Sequence, residues 1–236
     1  MNNTKAFSLI ELSIVLIIIG LLVAGITGGA SLIENAKIKG VIDEFNNYNT
    51  SINTFYSLKG RLPGDLNNSG KIGLNSGQSY NNNNFGPNYE SNNNQDYGIP
   101  DPRIAPFIEL YLEKLIDFEP KKTVPASGGL GWANGGSPKS KALDYAGYQF
   151  LFVGSPNYND PSNNSYMEKI GNKFRLHRTG SSNRGQYLKG DMMGKIDLKL
   201  DDGKYNSGDI RGECNNADAY KKGVLCTSLR FSILTL

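Results

Sequence analysis

The 236-residue chain has one histidine, one tryptophan and two cysteines, and neither sign of charge prevails, at a formal net +3. Each shortage removes a class of function. The single histidine, His177, has no sequence-evident Ser or Cys nucleophile beside it, so nucleophilic catalysis of the triad kind has no candidate. No Walker loop, dinucleotide fingerprint or zinc-ligand spacing is present either, and the chain reads as a non-enzyme. A charge of +3 leaves no electrostatic footprint for a nucleic-acid partner. The local basic stretch Lys169, Lys173, Arg175, His177, Arg178, Arg184 and Lys189 reads as a solvated face, with DNA contact as its alternative.

The two cysteines, Cys214 and Cys226, lie close together near the C-terminus. In an exported protein such a pair reads as a disulfide, and in a cytosolic one as core residues or half a metal site. Compartment decides between them, and the N-terminus decides the compartment.

Hydrophobic residues make up 38% of the chain, and the run from Phe7 to Ile26 takes a large share of them. It follows the short polar stretch Met1–Ala6, which carries Lys5. Twenty helical residues rise about 30 Å, the thickness of a bilayer's hydrocarbon core. Glu11 interrupts the run. A lone carboxylate inside hydrocarbon costs roughly 2.5–3.5 kcal/mol, which marks it as a functional residue in need of a partner. A secretory signal would have a shorter apolar core, no acid within it and a small-x-small cut. Gly28-Gly29-Ala30 keeps that rival open, as a secreted protein cut near Ala30.

Beyond Ala30 the apolar residues narrow to one face: Leu32, Ile33, Ala36, Val41, Phe45, Tyr48, Ile52, Phe55 and Tyr56. Their spacing is that of an amphipathic helix, with Lys37, Lys39, Asp43 and Glu44 on the other side. Gly60 and Pro63 stop it. One helix from Phe7 to about Leu58 is predicted, roughly 75–80 Å long.

The string Lys5-Ala-Phe-Ser-Leu-Ile-Glu-Leu-Ser-Ile-Val-Leu-Ile-Ile-Ile-Gly-Leu-Leu22 resembles the N-terminus of type IV pilins and type II secretion pseudopilins. The likeness covers roughly the first fifty-five residues: a short charged leader, Phe at the new start, Glu five residues into the mature chain, and unbroken hydrophobicity. It implies cleavage between Ala6 and Phe7 by a membrane-embedded prepilin peptidase, with methylation of the Phe7 amine. Gly usually precedes the cut in the family; here Ala6 does. The resemblance pairs Glu11 with the Phe7 amine of a neighbouring subunit. Two buried charges are costly alone, and pairing them across subunits rewards correct register. Gly20, Gly25, Gly28 and Gly29 weaken the helix locally, as in related filaments that melt in part, or else allow close helix packing.

The resemblance further implies an α+β pilin fold: a long N-terminal helix, its first half transmembrane, packed on an antiparallel sheet with short extra helices. Residues 1–6 are then the leader, 7–59 the transmembrane and assembly helix, and 60–236 a periplasmic or extracellular head. Its implied partners are other subunits in a homo- or heteropolymer, the prepilin peptidase, inner-membrane assembly machinery and membrane lipid. The protein would wait in the inner membrane and then enter a filament. A membrane-anchored surface binding protein or adhesin that does not polymerise is the alternative. Export settles Cys214 and Cys226 as a disulfide, worth about 3 kcal/mol in the chain-entropy model.

In the head, Arg61-Leu-Pro-Gly-Asp65 matches a turn common after the first helix of pilin-like proteins. Asp65, Asn67 and Ser69 resemble the opening of a calcium loop that lacks its closing carboxylate. Eleven asparagines between 67 and 97 mark a surface loop. Asp101-Pro102 opens a second helix, with Ile104, Phe107, Ile108, Tyr111, Leu112 and Leu115 on one face, ending before Pro120. Residues 148–153 and 172–177 read as strands. Leu188, Met192, Ile196 and Leu200 suggest a third helix, and residues 224–226 and 229–236 a last strand. Asp197, Asp201 and Asp202 read as caps of a turn, with calcium as the alternative. No other cofactor is called for.

Overall fold

No proline occurs between Phe7 and Pro63, and the sequence there sustains one helix, α1, over Leu9–Lys59. The computed structural model describes residues 8–65, 70–72, 105–120, 137–153, 171–178, 188–214 and 220–233. Two compact units result, Met1–Lys37 and Ile38–Leu236. In the first unit α1 runs through Gly20, Gly25, Gly28 and Gly29 without a break, and its apolar side chains are exposed, Leu32 and Ile33 among them. α1 is long and apolar enough to cross a membrane.

In the second unit, α1 turns a narrow stripe inward. Ile38, Val41, Ile52 and Phe55 are buried, and Phe45 and Tyr48 pack against the same core. These positions step by three and four, a coiled-coil-like seam rather than the wider stripe expected from sequence. Each fully buried Ile or Phe contributes about 1.5–3 kcal/mol. Gly60, at φ 70, closes the helix through its N–H to Tyr56 O, the left-handed cap that glycine adopts without strain.

The remaining elements are α2 (Ala105–Leu112), β1 (Ala146–Val153), β2 (Gly171–Arg178), β3 (Leu188–Lys189), α3 (Gly190–Leu200), β4 (Ile210–Cys214) and β5 (Leu225–Ser232). All pairings are antiparallel. β5 is the hub: β2 pairs with its later residues, β3 with its first two, and β4 runs along it from Cys226 to Phe231. Alternation sends Tyr148, Phe150, Phe174, Leu176, Leu229 and Phe231 to the core face. There Phe45 stacks on Phe231 at 4.3 Å and Tyr148 on Phe174 at 4.8 Å. A long helix packed on an antiparallel sheet with short helices is the α+β pilin-like architecture.

Three elements differ from expectation. Leu188 begins a two-residue strand before α3, and Ile210–Cys214 forms a strand that its few apolar residues did not announce. α2 ends at Leu112 because Lys114 turns left-handed at φ 58, with Lys114 N–H bonded to Tyr111 O and Leu115 N–H to Leu110 O. That is the geometry of a glycine-type helix terminus carried by a lysine, at a cost of about 1 kcal/mol.

Candidate assembly site

α1 begins with a reciprocal cap. Ser8 N–H donates to Glu11 Oε2 at 2.9 Å, while Ser8 Oγ accepts from Ile10 N–H at 3.4 Å. Ser-x-x-Glu is the capping-box pattern, and it satisfies donors that the first helical turn leaves open. The other hydroxyls of the apolar half are satisfied within the helix. Ser13 Oγ donates to Ile10 O, and Thr27 Oγ1 to Val23 O and Ala24 O. A surface of this kind suits hydrocarbon, where every polar group needs an internal partner. Ala6 and Phe7 lie outside the described residues. Ser8 is the member of this group that sequence reasoning passed over; its spacing from Glu11 was the available signal.

A second polar node holds the other half of α1 in the head. Glu44, expected on the solvent side, is instead an acceptor for four donors: Ser140 Oγ at 2.8 Å, Lys141 N–H at 2.7 Å, Ala142 N–H at 3.0 Å, and the Tyr148 hydroxyl. The phenols of Tyr48 and Tyr148 are pushed up, chiefly by burial and further by the Glu44 charge, so both stay protonated. Ser51 Oγ donates to Leu115 O at 2.9 Å, joining α1 to the turn after α2. Past the helix, Arg61 forks onto both oxygens of Glu109 at 2.9 and 2.7 Å, and Gly64 N–H joins Glu109 at 2.6 Å. The Arg-Leu-Pro-Gly-Asp turn is therefore pinned to α2.

Of the calcium-loop residues, Asp65 is buried and accepts from Gly70 N–H at 2.6 Å; Asn67 and Ser69 fall outside the described residues, as does most of the asparagine-rich loop. Asp197, Asp201 and Asp202 do converge, with a carboxylate oxygen of each within 4.8 Å of the others. The chain itself uses those oxygens. Asp197 accepts from Gly203 N–H at 3.0 Å and Tyr220 OH at 2.7 Å. Asp201 accepts from the N–H groups of Asp209 and Ile210, and Asp202 from Lys204 N–H and Ser207 Oγ. Their caps shape the turn from 203 to 209 and launch β4.

Cys214 and Cys226 form a disulfide across β4 and β5. Inside the loop it closes, Tyr220 lies against Gly194 and Gly212, where any Cβ would meet its ring atoms or Cβ at 2.8 and 2.6 Å. Two glycines thus make a socket, and the Asp197 bond seats the phenol in it. Part of the basic stretch departs from the solvated face expected: Lys173 is buried, and Arg175 and His177 are half-buried, all on β2, while Lys189 is exposed. Lys169 and Arg184 lie outside the described residues.

Two carboxylates give the head a pH signature. Burial pushes Asp197 up to about 6, and Asp201 and Asp202 add to it against the bonds from Tyr220 and Gly203. Burial also raises Glu213, but Arg230, Ser228 and Arg175 outweigh it and hold this group at about 2. Asp197 therefore contributes stability that is complete below the ordinary 3.8 and lost as pH rises through about 6. Glu213 contributes stability present above 4.5 and lost as pH falls toward 2. Each is worth about 2 kcal/mol after allowance for solvent. Thermal melts should give the highest Tm between roughly pH 4 and 5, and Asp197→Asn should flatten the decline above it. A wild-type Tm that climbs steadily from pH 4 to 7 would contradict the assignment.

No curated protein and no solved structure matches the chain. One family model does, the prokaryotic N-terminal methylation motif, over residues 1–27. Those residues hold the capped start of α1, Glu11 and the exposed apolar run, and they identify the chain as one that carries the prepilin-type signal of type IV pilins and pseudopilins.

Proposed function

We propose that the protein is a structural subunit of a type IV pilus or of the related secretion pseudopilus, trimmed at its N-terminus and polymerised through α1. Cleavage falls between Ala6 and Phe7, and the new Phe7 amine is methylated. Residues 1–6 serve as leader, 7–59 as assembly helix and 60–236 as head. The protein rests in the inner membrane until assembly machinery draws it into a periplasmic or extracellular filament.

One observation carries this reading: the first half of α1 exposes apolar side chains all round and bears a single acid in its first turn. Such a surface demands lipid or other helices, and the acid demands a positive partner. Phe7, once freed, supplies one four residues away in sequence, and a neighbouring copy supplies another. At Gly20, Gly25, Gly28 and Gly29 an added Cβ would meet nothing among the described residues. Their smallness answers no packing need among the described residues, which supports a role in packing against other subunits.

The mature N-terminus tests the reading. Mass spectrometry of protein from an expressing cell that has the peptidase should find a chain beginning with N-methylated Phe7. A chain still beginning at Met1 would favour the unpolymerised anchor, and one beginning after Ala30 a secreted protein.

A further inference from the structure

A groove of about 600 Å³ lies against the head's half of α1. Three segments line it: residues of α1 between 43 and 51, the turn 114–118 that follows α2, and residues 138–141 ahead of β1. That volume is in the range of small-ligand sites. The bonds already described build its walls and are complete without an occupant: Glu44 ties α1 to residues 140–142, and Ser51 ties it to Leu115. What remains is the rim, where Asp43, Lys114, Asp117, Lys139 and Lys141 are all exposed. Among the described residues, none of these five side chains is held by an ion pair or a hydrogen bond.

Lys114 is the residue that the fold does not account for. Its backbone is left-handed at φ 58, a conformation that glycine adopts freely and a lysine holds at about 1 kcal/mol. The bonds that need this turn run between backbone groups, Lys114 N–H to Tyr111 O and Leu115 N–H to Leu110 O, so they do not call for the lysine side chain. Strain of this kind persists at functional positions, and here it places an ammonium group on the groove. The rim's chemistry narrows the ligand. Ammonium groups only donate and carboxylates only accept, and the rim carries three of the first and two of the second. An anion would face Asp43 and Asp117, and a cation the three lysines. Hydroxyl groups donate and accept at once, so a polyhydroxylated ligand satisfies both kinds without meeting a like charge. Asn47 and Thr50 add groups that do the same, and Leu115, Ile116 and Phe118 offer half-buried apolar surface to ring C–H groups. A peptide leans on a fully desolvated apolar anchor, which these three half-buried side chains do not make.

We propose that the groove binds a short saccharide, with Lys114, Lys139 and Lys141 donating to its oxygens and Asp43 and Asp117 accepting from its hydroxyl groups. The site lies outside the apolar half of α1, so it is independent of assembly and stands or falls without it.

Retention of the full chain, in detergent micelles, on a panel of immobilised oligosaccharides tests it, with immobilised peptides of mixed charge as the second arm. The wild type should be retained on saccharides and released by the same saccharide in free form. Lys114→Gly relieves the left-handed turn, so it should keep its Tm. Its retention should nonetheless fall about ten-fold, the loss of one charge-assisted hydrogen bond. A residue that serves the turn alone would show no such split. Asp43→Ser should lower retention to a similar degree, and it decides the matter if Lys114→Gly fails to fold. No saccharide retained by the wild type overturns the proposal, as does retention undiminished in the folded variants. Retention on the peptides in place of the saccharides would overturn it too, by assigning the groove to a protein partner.

Discussion

Glu44→Ala is expected to destabilise the head by about 3–4 kcal/mol, more than any single apolar truncation at the rim of the core. The size follows from what is stranded. Four donors converge on this carboxylate, and two of them, the Tyr148 hydroxyl and Ser140 Oγ, belong to buried side chains. A buried donor left without an acceptor costs about 1–3 kcal/mol. Lys141 N–H is exposed and recovers a water at little cost. Glu44→Gln keeps one acceptor oxygen and turns an amide N–H toward donors, so its loss should fall between wild type and alanine. At 2–4 °C per kcal/mol for a chain of this size, Tm should drop by about 6–16 °C for alanine. Circular dichroism melts read this directly. A drop under about 3 °C would mean that packing alone docks α1.

Glu44 also shows where legibility ended. The sequence pattern placed Val41, Phe45, Tyr48, Ile52 and Phe55 on one face correctly, because helical spacing is a local property. Residue 44 borders that stripe, and whether a bordering side chain meets water or protein depends on what packs beside it. Its partners Ser140 and Tyr148 lie 96 and 104 residues away. The same limit applies to the Gly194 and Gly212 socket for Tyr220, which looks like two stray glycines until β4, α3 and the disulfide loop are brought together. β4 escaped notice because its inward positions are Ile210, Gly212 and Cys214, too little apolar surface to signal a strand. Leu32 and Ile33 were assigned to the packed face and are exposed; the seam narrows to Ile38 and onward, a limit that tertiary contact sets. What read clearly was chemistry confined to a few neighbouring residues: the acid in the apolar run, the glycine stop at Gly60, and the aspartates that cap the turn after α3.

The largest functional effect is expected at Glu11, and the capping box makes the test sharper than a simple truncation. The carboxylate has two separable duties. As the fourth member of Ser8-x-x-Glu11 it accepts from Ser8 N–H, a bond worth about 1 kcal/mol that glutamine makes as well as glutamate. As a charge it would neutralise a Phe7 amine in the filament, where losing one partner of a buried pair costs about 3–5 kcal/mol. Glu11→Ala removes both duties, and Glu11→Gln removes the charge alone. Neither changes Ala6 or Phe7, so peptidase cleavage should proceed in both. Filament yield, measured in the sheared fraction against total mature protein, should fall more than about ten-fold in alanine and glutamine variants alike, since each 1.4 kcal/mol is a factor of ten. Normal filaments from Glu11→Ala would remove the residue from assembly altogether. Filaments restored by glutamine would reduce its role to starting the helix, and the positive partner at Phe7 would no longer be needed to explain why an acid stands in the apolar run.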